Sequence, residues 1–255
     1  MLEPRELVPR LTSLESIAVI PRVASTNLIA RRIVAECIGN DLSLPQAMII
    51  AGEQFAGRGR NQRSWSSPAG KGIYATTLLT RPAAELPLVP LEMANVVATY
   101  LRDVFGIDAR LKWPNDVLVD GRKIAGILIE ARLQGDRAYL LIGTGINVEP
   151  MSDESRPNAV AIRDVTRRDF PGIDAATAAF VEHLDARLHR RLERDRVLAE
   201  WRSLSVHKPG DRITCVLGER TVTGTWAGID DQGRALLRSG EETVAVSAGD
   251  LLIET

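Results

Sequence analysis

The densest run of side chains capable of chemistry is a loop rich in glycine and arginine. It reads Gly57-Arg58-Gly59-Arg60 and is followed by Arg63 and Trp65. Arginines this close repel one another unless an anion lies between them, and glycines let backbone N–H groups approach that anion. A solvated basic loop is the alternative that composition allows. The loop lacks the spacing of a Walker P-loop, so we interpret it as a phosphate or carboxylate site of another kind.

A second group of charged and polar residues flanks a predicted hairpin turn. Lys112-Trp113-Pro114-Asn115-Asp116 precedes the dipeptide Asp120-Gly121, which favours a two-residue turn, and Lys123 follows it. If the two segments fold back on each other, both lysines come close to one site, and two buried ammonium groups need a polyanion. The alternative is that Asn115-Asp116 is an ordinary turn and that the lysines are exposed on strands.

Two shorter motifs complete the set. Gly143-Thr144-Gly145-Ile146-Asn147 places glycines inside an otherwise apolar strand. Such glycines indicate a bulge or the close approach of a ligand, and packing by a neighbouring helix is an equal alternative. Ser25-Thr26-Asn27 precedes an amphipathic pattern, and a helix cap explains these three residues without any ligand.

Hydrophobic periodicity predicts the elements that must position these motifs. Strands are predicted at residues 17–23, 47–52, 72–80 and 110–113, and helices at residues 26–38, 88–105 and, without interruption, 174–203. Two hairpins are expected, with turns at Asp120-Gly121 and near Gln134-Gly135-Asp136. Five short strand-like runs follow Pro209-Gly210, and short strands with tight turns favour a small barrel.

Composition limits the class of protein. The 255 residues carry 32 basic and 33 acidic side chains, so the net charge of −1 lacks the basic excess typical of DNA-binding chains. Cys37 and Cys215 have no CxxC spacing, and no apolar run approaches the roughly 18 residues of a membrane span. We therefore expect a cytoplasmic protein with no membrane or nucleic-acid partner. It should have one large and one small unit, divided near His207.

In their order and in their residues, the four motifs resemble those of the biotin protein ligases. The similar segments are STN, GEQFAGRGRNQRSWSSPAGKG, KWPNDVLVDGRKIAGILIE and IGTGINV, within about residues 15 to 150. The resemblance implies an α+β fold in which helices pack on a mixed β-sheet, class II synthetase-like, followed by a small SH3-like β-barrel. The implied parts are an N-terminal extension over residues 1–14, a catalytic domain over residues 15–206 and the barrel over residues 207–255.

The activity implied by the resemblance is a ligase with two half-reactions. Biotin and ATP, with Mg²⁺, give biotinyl-5′-AMP and pyrophosphate. Biotin then passes to one lysine of a carrier domain, such as the biotin carboxyl carrier protein of acetyl-CoA carboxylase. Arg58, Arg60 and Lys123 are the implied catalytic cations, because biotin's carboxylate must approach a phosphate that is already negative. Lys123 would bridge these two anions.

The resemblance also implies which residues bind each substrate. Those implied for biotin are Ser25, Thr26, Asn27, Gln54, Gly57, Arg58, Arg60, Gly126, Leu128, Gly143 and Gly145. Those implied for the nucleotide are Arg63, Trp65, Lys112, Asn115, Asp116, Lys123 and Asn147, and Asp116 is also the implied metal ligand. The Gly-Arg loop is expected to be mobile when empty and to order over the ligand, because glycines and like charges hold it weakly.

Departures from the family pattern carry further expectations. Gln62 stands where the family's loop usually has a glycine, so a left-handed backbone is not expected there. The proline-broken segment before Leu14 is too short for the helix-turn-helix domain of longer members, so operator binding is not expected. The family also suggests a homodimer formed through the edge of the central sheet.

Two alternative functions stay open. One is lipoate transfer on the same scaffold, which the Gly-Arg loop and the KWPND signature disfavour. The other is a non-catalytic biotin-binding module. Arg58, Arg60, Lys112 and Lys123 argue against that module, because binding biotin alone requires no cations that handle phosphate.

Overall fold

The computed structural model describes residues 11–151, 158–218 and 220–253. A seven-stranded mixed sheet forms its centre, in the order β1-β2-β3-β7-β6-β5-β4. Its strands are β1 (Ser16–Ile20), β2 (Ala47–Ala51), β3 (Gly72–Pro82), β4 (Arg110–Lys112), β5 (Asp116–Val119), β6 (Arg122–Gln134) and β7 (Arg137–Asn147). Only the β1–β2 pair is parallel within these residues. The mixed sheet expected from the sequence is therefore confirmed.

Helices cover both faces of this sheet. They are α1 (Thr26–Gly39), a 3₁₀ helix (Ala83–Leu88), α2 (Val89–Phe105), α3 (Ile162–Val165), α4 (Ile173–Leu188) and α5 (Arg194–Leu204). On one face, Ala30 and Val34 of α1 pack on Ile49, Leu78 and Leu141. The opposite face carries the larger core, built with α2, α4 and α5. Because both faces are covered, the first eight residues of β3 are all buried.

The single helix predicted over residues 174–203 is wrong, because the chain breaks after Leu188 and restarts at Arg194. An unbroken helix of that length would be about 45 Å long and would project from the core. The break lets α5 fold back against α2 and bury Trp201. Arg187, at the end of α4, then forms ion pairs with Glu92 of α2 (3.0 Å) and Glu200 of α5 (2.7 Å).

A buried carboxylate ties the first described residues to α4. Asp185 accepts hydrogen bonds from the backbone N–H groups of Thr12, Ser13 and Leu14, at 2.6–2.9 Å. Burial raises the pKa of Asp185, but these hydrogen bonds outweigh it and hold the pKa below its usual value. The segment that leads into β1 is therefore anchored on the side of the sheet opposite α1.

The two predicted hairpins are confirmed, and their registers build the site. Asp120 and Gly121 have φ of 49° and 74°, which is the left-handed backbone that a tight two-residue turn requires. The next hairpin pairs β6 with β7 and places Leu128 opposite Gly143 and Gly126 opposite Gly145. Residues far apart in sequence thus share one stretch of sheet.

The chain after His207 forms a second, five-stranded antiparallel sheet. Its strands are β8 (Arg212–Leu217), β9 (Arg220–Ile229), β10 (Ala235–Ser239), β11 (Glu242–Val246) and β12 (Asp250–Ile253). All five predicted strands are present, in the order β11-β10-β9-β8-β12. The expected barrel is not closed by hydrogen bonds among the described residues, because β12 pairs with β8 and not with β11.

Aromatic side chains join the small sheet to the rest of the chain. The Trp113 indole N–H donates to the Gly233 carbonyl at 3.0 Å. The ring of His207 stacks on Trp226 at 4.5 Å between centroids, and its Nε2 accepts the Trp113 backbone N–H at 3.1 Å. Burial, reinforced by the charge of Lys112, lowers the pKa of His207 to about 4, so the imidazole is neutral and suited to accept that bond.

Candidate active site

A cavity of about 140 Å³ that opens to solvent lies where the Gly-Arg loop, the start of α1, strands β5–β7 and the start of β12 meet. All but three of the residues implied by the sequence line it. These are Ser25, Thr26, Asn27, Gln54, Arg58, Arg60, Arg63, Trp65, Asn115, Asp116, Lys123, Gly126, Leu128, Gly143 and Gly145. Motifs that are up to 120 positions apart in the sequence, from Ser25 to Gly145, therefore converge on one space.

Gly57, Lys112 and Asn147 do not line this cavity. Gly57, at the start of the loop, is buried, and a Cβ there would overlap the Trp65 carbonyl. Lys112 lies on β4, where it pairs in register with Asp116, the ion-pair partner of Lys123, but Lys112 itself does not line the cavity. Asn147 lines a neighbouring pocket and donates to the carbonyls of Lys123 and Val160, both at 3.2 Å.

One end of the cavity holds uncharged hydrogen-bonding groups, which we name the polar end (Ser25, Thr26, Asn27 and Gln54). Ser25 occupies the N-cap position of α1, but its side chain makes no capping hydrogen bond. Helix capping, the alternative explanation for Ser25, therefore does not account for its hydroxyl group. The Thr26 backbone N–H donates to Gln54 Oε1 at 2.8 Å, and Gln54 Nε2 donates to Ser67 Oγ at 3.0 Å.

The middle of the cavity is narrow because glycines form its wall. A Cβ at Gly143 would lie 2.5 Å from Asn27 Oδ1, and a Cβ at Gly145 would lie 2.5 Å from Trp65 Cε2. Gly143 thus makes room for a side chain of α1, which is the helix-packing alternative. Gly145 makes room for the loop tryptophan, whose ring lies 5.4 Å from Lys123 Nζ.

The other end, which we name the cationic end (Arg58, Arg60, Arg63 and Lys123), carries four positive charges. Lys123 Nζ lies 2.6 Å from Asp116 Oδ1. Arg60 donates to Asn115 Oδ1 at 2.9 Å. Arg58 is exposed. Because the cations outnumber the carboxylates lining the cavity, Asp116 and Asp250, this end favours an anionic guest.

The cationic end also uses the small C-terminal sheet. Arg60 donates to the Gly249 carbonyl at 3.1 Å, and Arg63 donates to Asp250 Oδ2 at 2.5 Å. Sequence reasoning missed Asp250, because Gly249-Asp250 looks like an ordinary turn before a strand. Nothing local in the sequence shows that this turn reaches a loop 187 residues away.

The tip of the Gly-Arg loop contradicts one expectation. Gln62 has a φ of 60° and Asn61 a φ of 51°, so the left-handed backbone forms there without glycine. The turn is held by hydrogen bonds from the Gly59 N–H to the Arg63 carbonyl (2.7 Å) and from the Arg63 N–H to the Arg60 carbonyl (3.0 Å). These bonds offset a conformational cost of about 1–2 kcal/mol per non-glycine residue.

The described part of the chain has neither a cluster of metal-ligating side chains nor a membrane-spanning helix. Within residues 11–151, 158–218 and 220–253, no group of three His, Cys, Asp or Glu side chains is placed to hold a metal ion. In the same part of the chain, no helix has the length and apolar character needed to cross a membrane. Cys37 and Cys215 are both buried, and neither forms a disulfide.

Comparison with known proteins identifies the scaffold. The profile of the biotin/lipoate A/B protein ligase family matches residues 19–147, and that of the biotin protein ligase C-terminal domain matches residues 210–252. A biotin–[acetyl-CoA-carboxylase] ligase of Mycobacterium tuberculosis is 31% identical over 242 residues, which cover 92% of this chain and 87% of the relative. A ligase of the same name from Paracoccus denitrificans is 31% identical over 249 residues, covering 91% and 98%.

A solved structure agrees with these sequences. The biotin protein ligase from Aquifex aeolicus in complex with biotin and ATP superposes with a TM-score of 0.72 at 25% identity. The superposition covers 94% of this chain and 99% of that one, so both sheets are included. On the matching profiles, the relatives and the shared fold, this chain belongs to the biotin protein ligase family.

Proposed function

We propose that this chain activates biotin with ATP to give biotinyl-5′-AMP and pyrophosphate, and then transfers biotin to a lysine of a carrier domain. The observation that carries the proposal is the division of one cavity into an uncharged polar end and a cationic end. Biotin has the same division, because a neutral cyclic urea lies at one end of the molecule and a carboxylate at the other.

The polar end suits the urea. A buried urea must have its carbonyl and its two N–H groups satisfied, since each group left without a partner costs about 1–3 kcal/mol. Ser25, Thr26 and Gln54 offer hydroxyl and amide groups at this point. Leu128, Gly143 and Gly145 then flank the apolar part of the ligand.

The cationic end suits the first half-reaction. A carboxylate oxygen of biotin attacks the α-phosphorus of ATP, an O–P bond forms, and the bond to the leaving pyrophosphate breaks. Arg58, Arg60 and Lys123 offset the charge that accumulates on these oxygens. Lys123 leaves Asp116 to bridge the carboxylate and the phosphate, because an ammonium on a flexible stem can follow the oxygens as bonds change.

The nucleotide occupies the space beside the Gly-Arg loop. Trp65 offers a flat face for adenine, and Arg63 and Asn115 reach the same side of the cavity. Lys112 and Asn147 do not line the cavity and would act from farther away. Asn147 holds the backbone of Lys123 through a hydrogen bond to its carbonyl. Mg²⁺ supplied with ATP would offset charge on the leaving pyrophosphate, and Asp116 is the residue proposed to hold it, since Mg²⁺ needs only one or two carboxylates besides phosphate oxygens.

In the second half-reaction, the uncharged amine of a carrier lysine attacks the carbonyl carbon of the mixed anhydride. An amide bond forms, and AMP leaves. We assign no general base, since no described histidine lines the cavity. Exclusion of water by the closed loop protects the reactive anhydride until the carrier arrives.

The relatives support the carrier class, because two of them are named for acetyl-CoA carboxylase. We also propose a cytoplasmic homodimer that does not bind nucleic acid. The near-zero net charge supports the last point.

Pyrophosphate release tests the function. The protein is incubated with ATP and either biotin or lipoate, and a biotin carboxyl carrier domain is then added. We expect pyrophosphate release with ATP and biotin but not with ATP and lipoate. The carrier should then gain the mass of one biotinyl group. Release only with lipoate would establish lipoate transfer instead, and binding of biotin without release would establish a non-catalytic module.

A further inference from the structure

Two neighbouring pockets lie at the far end of β3, where this strand meets α2 and the connection from α4 to α5. The outer pocket has a volume of about 270 Å³ and is open to solvent, and the inner pocket has a volume of about 30 Å³. Arg81, Leu188, Arg190 and Leu192 line both pockets, so a ligand held by these side chains reaches both.

These pockets are separate from the candidate active site. None of their lining residues lines the active-site cavity. On β3, Thr76 pairs with Gly143, which lines that cavity, whereas Arg81 lies five residues farther along the strand. Five residues of β-strand span about 17 Å. A ligand in the pockets would therefore not compete with a ligand in the active-site cavity.

The outer pocket carries an excess of positive charge. Among its charged lining residues, Arg81, Arg190 and Arg191 face one carboxylate, Glu85, whose Oε2 lies 3.9 Å from Arg81 Nε. Arg190 and Arg191 are exposed, and neither forms an ion pair with any residue in the described part of the chain. Three positive charges and one negative charge leave two positive charges. A phosphate monoester matches them, because it carries a charge of about −1.5 to −2 near pH 7.

The inner pocket is mostly apolar. Seven of its eleven lining residues are hydrophobic, among them Met93, Val96 and Ile142. Two of the charged residues in its wall, Glu92 and Arg187, are paired with each other at 3.0 Å. Since one water needs about 10–15 Å³ of such a cavity, this pocket has room for about two or three waters or a similar number of chain carbons.

One donor in the wall of the inner pocket is unused. Arg187 donates through its two terminal nitrogens to Glu92 and Glu200, but its buried Nε has no hydrogen-bond partner in the described part of the chain. A buried N–H without an acceptor is costly, so a ligand oxygen there would be favourable. Arg187 directly precedes Leu188, which lines both pockets, so this donor belongs to the region where they meet.

We propose that the two pockets form a second ligand site, which binds a small soluble phosphate monoester with a short apolar chain. Its phosphate contacts the arginines of the outer pocket, since arginine donates to phosphate through two parallel N–H groups. Its chain enters the inner pocket. The site lies outside the proposed ligase chemistry, whose substrates occupy the active-site cavity.

A series of ligands tests both parts of the site. Dissociation constants for the full-length protein are measured by ligand-observed NMR with inorganic phosphate, methyl, ethyl, propyl, butyl and hexyl phosphate, and 1-butanol. We expect affinity to rise about fourfold for each of the first two or three added methylenes and then to level off, because the inner pocket is full. Butanol, which lacks the phosphate, should bind at least about tenfold more weakly than butyl phosphate.

Substitution of single arginines locates the binding. Arg190→Gln should weaken butyl phosphate about tenfold, because a charge-assisted pair is lost from both pockets. Arg194→Gln is the matched control, since this exposed arginine lines neither pocket, and it should change the affinity less than about twofold. Arg60→Gln makes the same change in the active-site cavity and should leave the dependence on chain length intact.

Three results would overturn the proposal. The first is equal affinity for inorganic phosphate and butyl phosphate, because the inner pocket then binds no chain. The second is loss of butyl phosphate binding in Arg60→Gln but not in Arg190→Gln, which would place the ligand in the active-site cavity. The third is cosedimentation with phosphatidic acid vesicles that requires Arg190, without binding of butyl phosphate. That result would assign these arginines to a lipid surface.

Discussion

The two ends of the cavity are built in different ways. The polar end is assembled from the start of α1 and from Gln54, which follows β2, and the hydrogen bonds from Thr26 to Gln54 fix these two residues against each other. The cationic end is assembled from a loop, a hairpin and the first residue of β12, and two of its four cations, Arg63 and Lys123, are paired with the carboxylates of Asp250 and Asp116. Uncharged groups are thus fixed by hydrogen bonds at one end, whereas charged groups are held in ion pairs at the other.

The largest effect is expected from a substitution in the cationic end. Lys123→Ala should lower the rate of pyrophosphate release about 100- to 1,000-fold, because a charge that bridges two reacting anions is lost. The KM for biotin should change much less, since the polar end is intact. Single-turnover measurements check this, and a near-normal rate would remove Lys123 from the bridging role.

The next effect is at the polar end. In Gly143→Ala, the new Cβ would lie 2.5 Å from Asn27 Oδ1, so the Asn27 amide must move. We expect the KM for biotin to rise about 10- to 50-fold while the KM for ATP stays within about twofold, because a displaced amide costs about one or two hydrogen bonds. Gly39→Ala is the control, since a Cβ there meets nothing within 4 Å. Equal effects on both substrates would argue against separate ends.

A smaller effect concerns His207, which lies between the two sheets in the contact that brings β12 to the site. The pKa of His207 is about 4 in the folded chain, below the 6.5 expected when it is unfolded. Its contribution to stability is therefore complete above pH 6.5 and is lost as the pH falls toward 4, by about 2 kcal/mol at pH 5.

Urea unfolding at pH 7.5 and pH 5 measures this loss. His207→Gln keeps an acceptor near the Trp113 N–H but cannot titrate, so its free energy of unfolding should fall less between the two pH values. If wild type and variant lose the same stability, His207 is not the group responsible.

The smallest effect concerns the loop itself. Asp250→Ala removes the acceptor of Arg63, so the Gly-Arg loop should open more often and be cleaved by trypsin about two- to fivefold faster. Asp231→Ala, in an exposed turn of the same sheet, is the control. Saturation with biotin and ATP should slow cleavage in both variants. Unchanged cleavage in Asp250→Ala would mean that β12 does not hold the loop.

Sequence reasoning located most of the groups at both ends but little of what supports them. Asp120-Gly121 predicts its hairpin because turn chemistry is local. Thr76 looks like an ordinary strand residue, and only the tertiary fold brings it into contact with Thr26 and Asn27. Asp250 is similar, since only the packing of two sheets brings it to Arg63. The break after Leu188 is also a tertiary effect, because the apolar stripe continues across it.

The distance of each hairpin turn from Lys123 has a practical consequence for protein engineering. The Asp120-Gly121 turn lies two residues before Lys123, and an insertion of one residue there would move this side chain to the other face of β6. The exposed turn at Gln134-Gly135 lies at the far end of the same strand, with the whole β6–β7 ladder between it and the cavity. A fluorescent reporter or an immobilisation tag therefore belongs in the second turn, where the ladder isolates it from the chemistry.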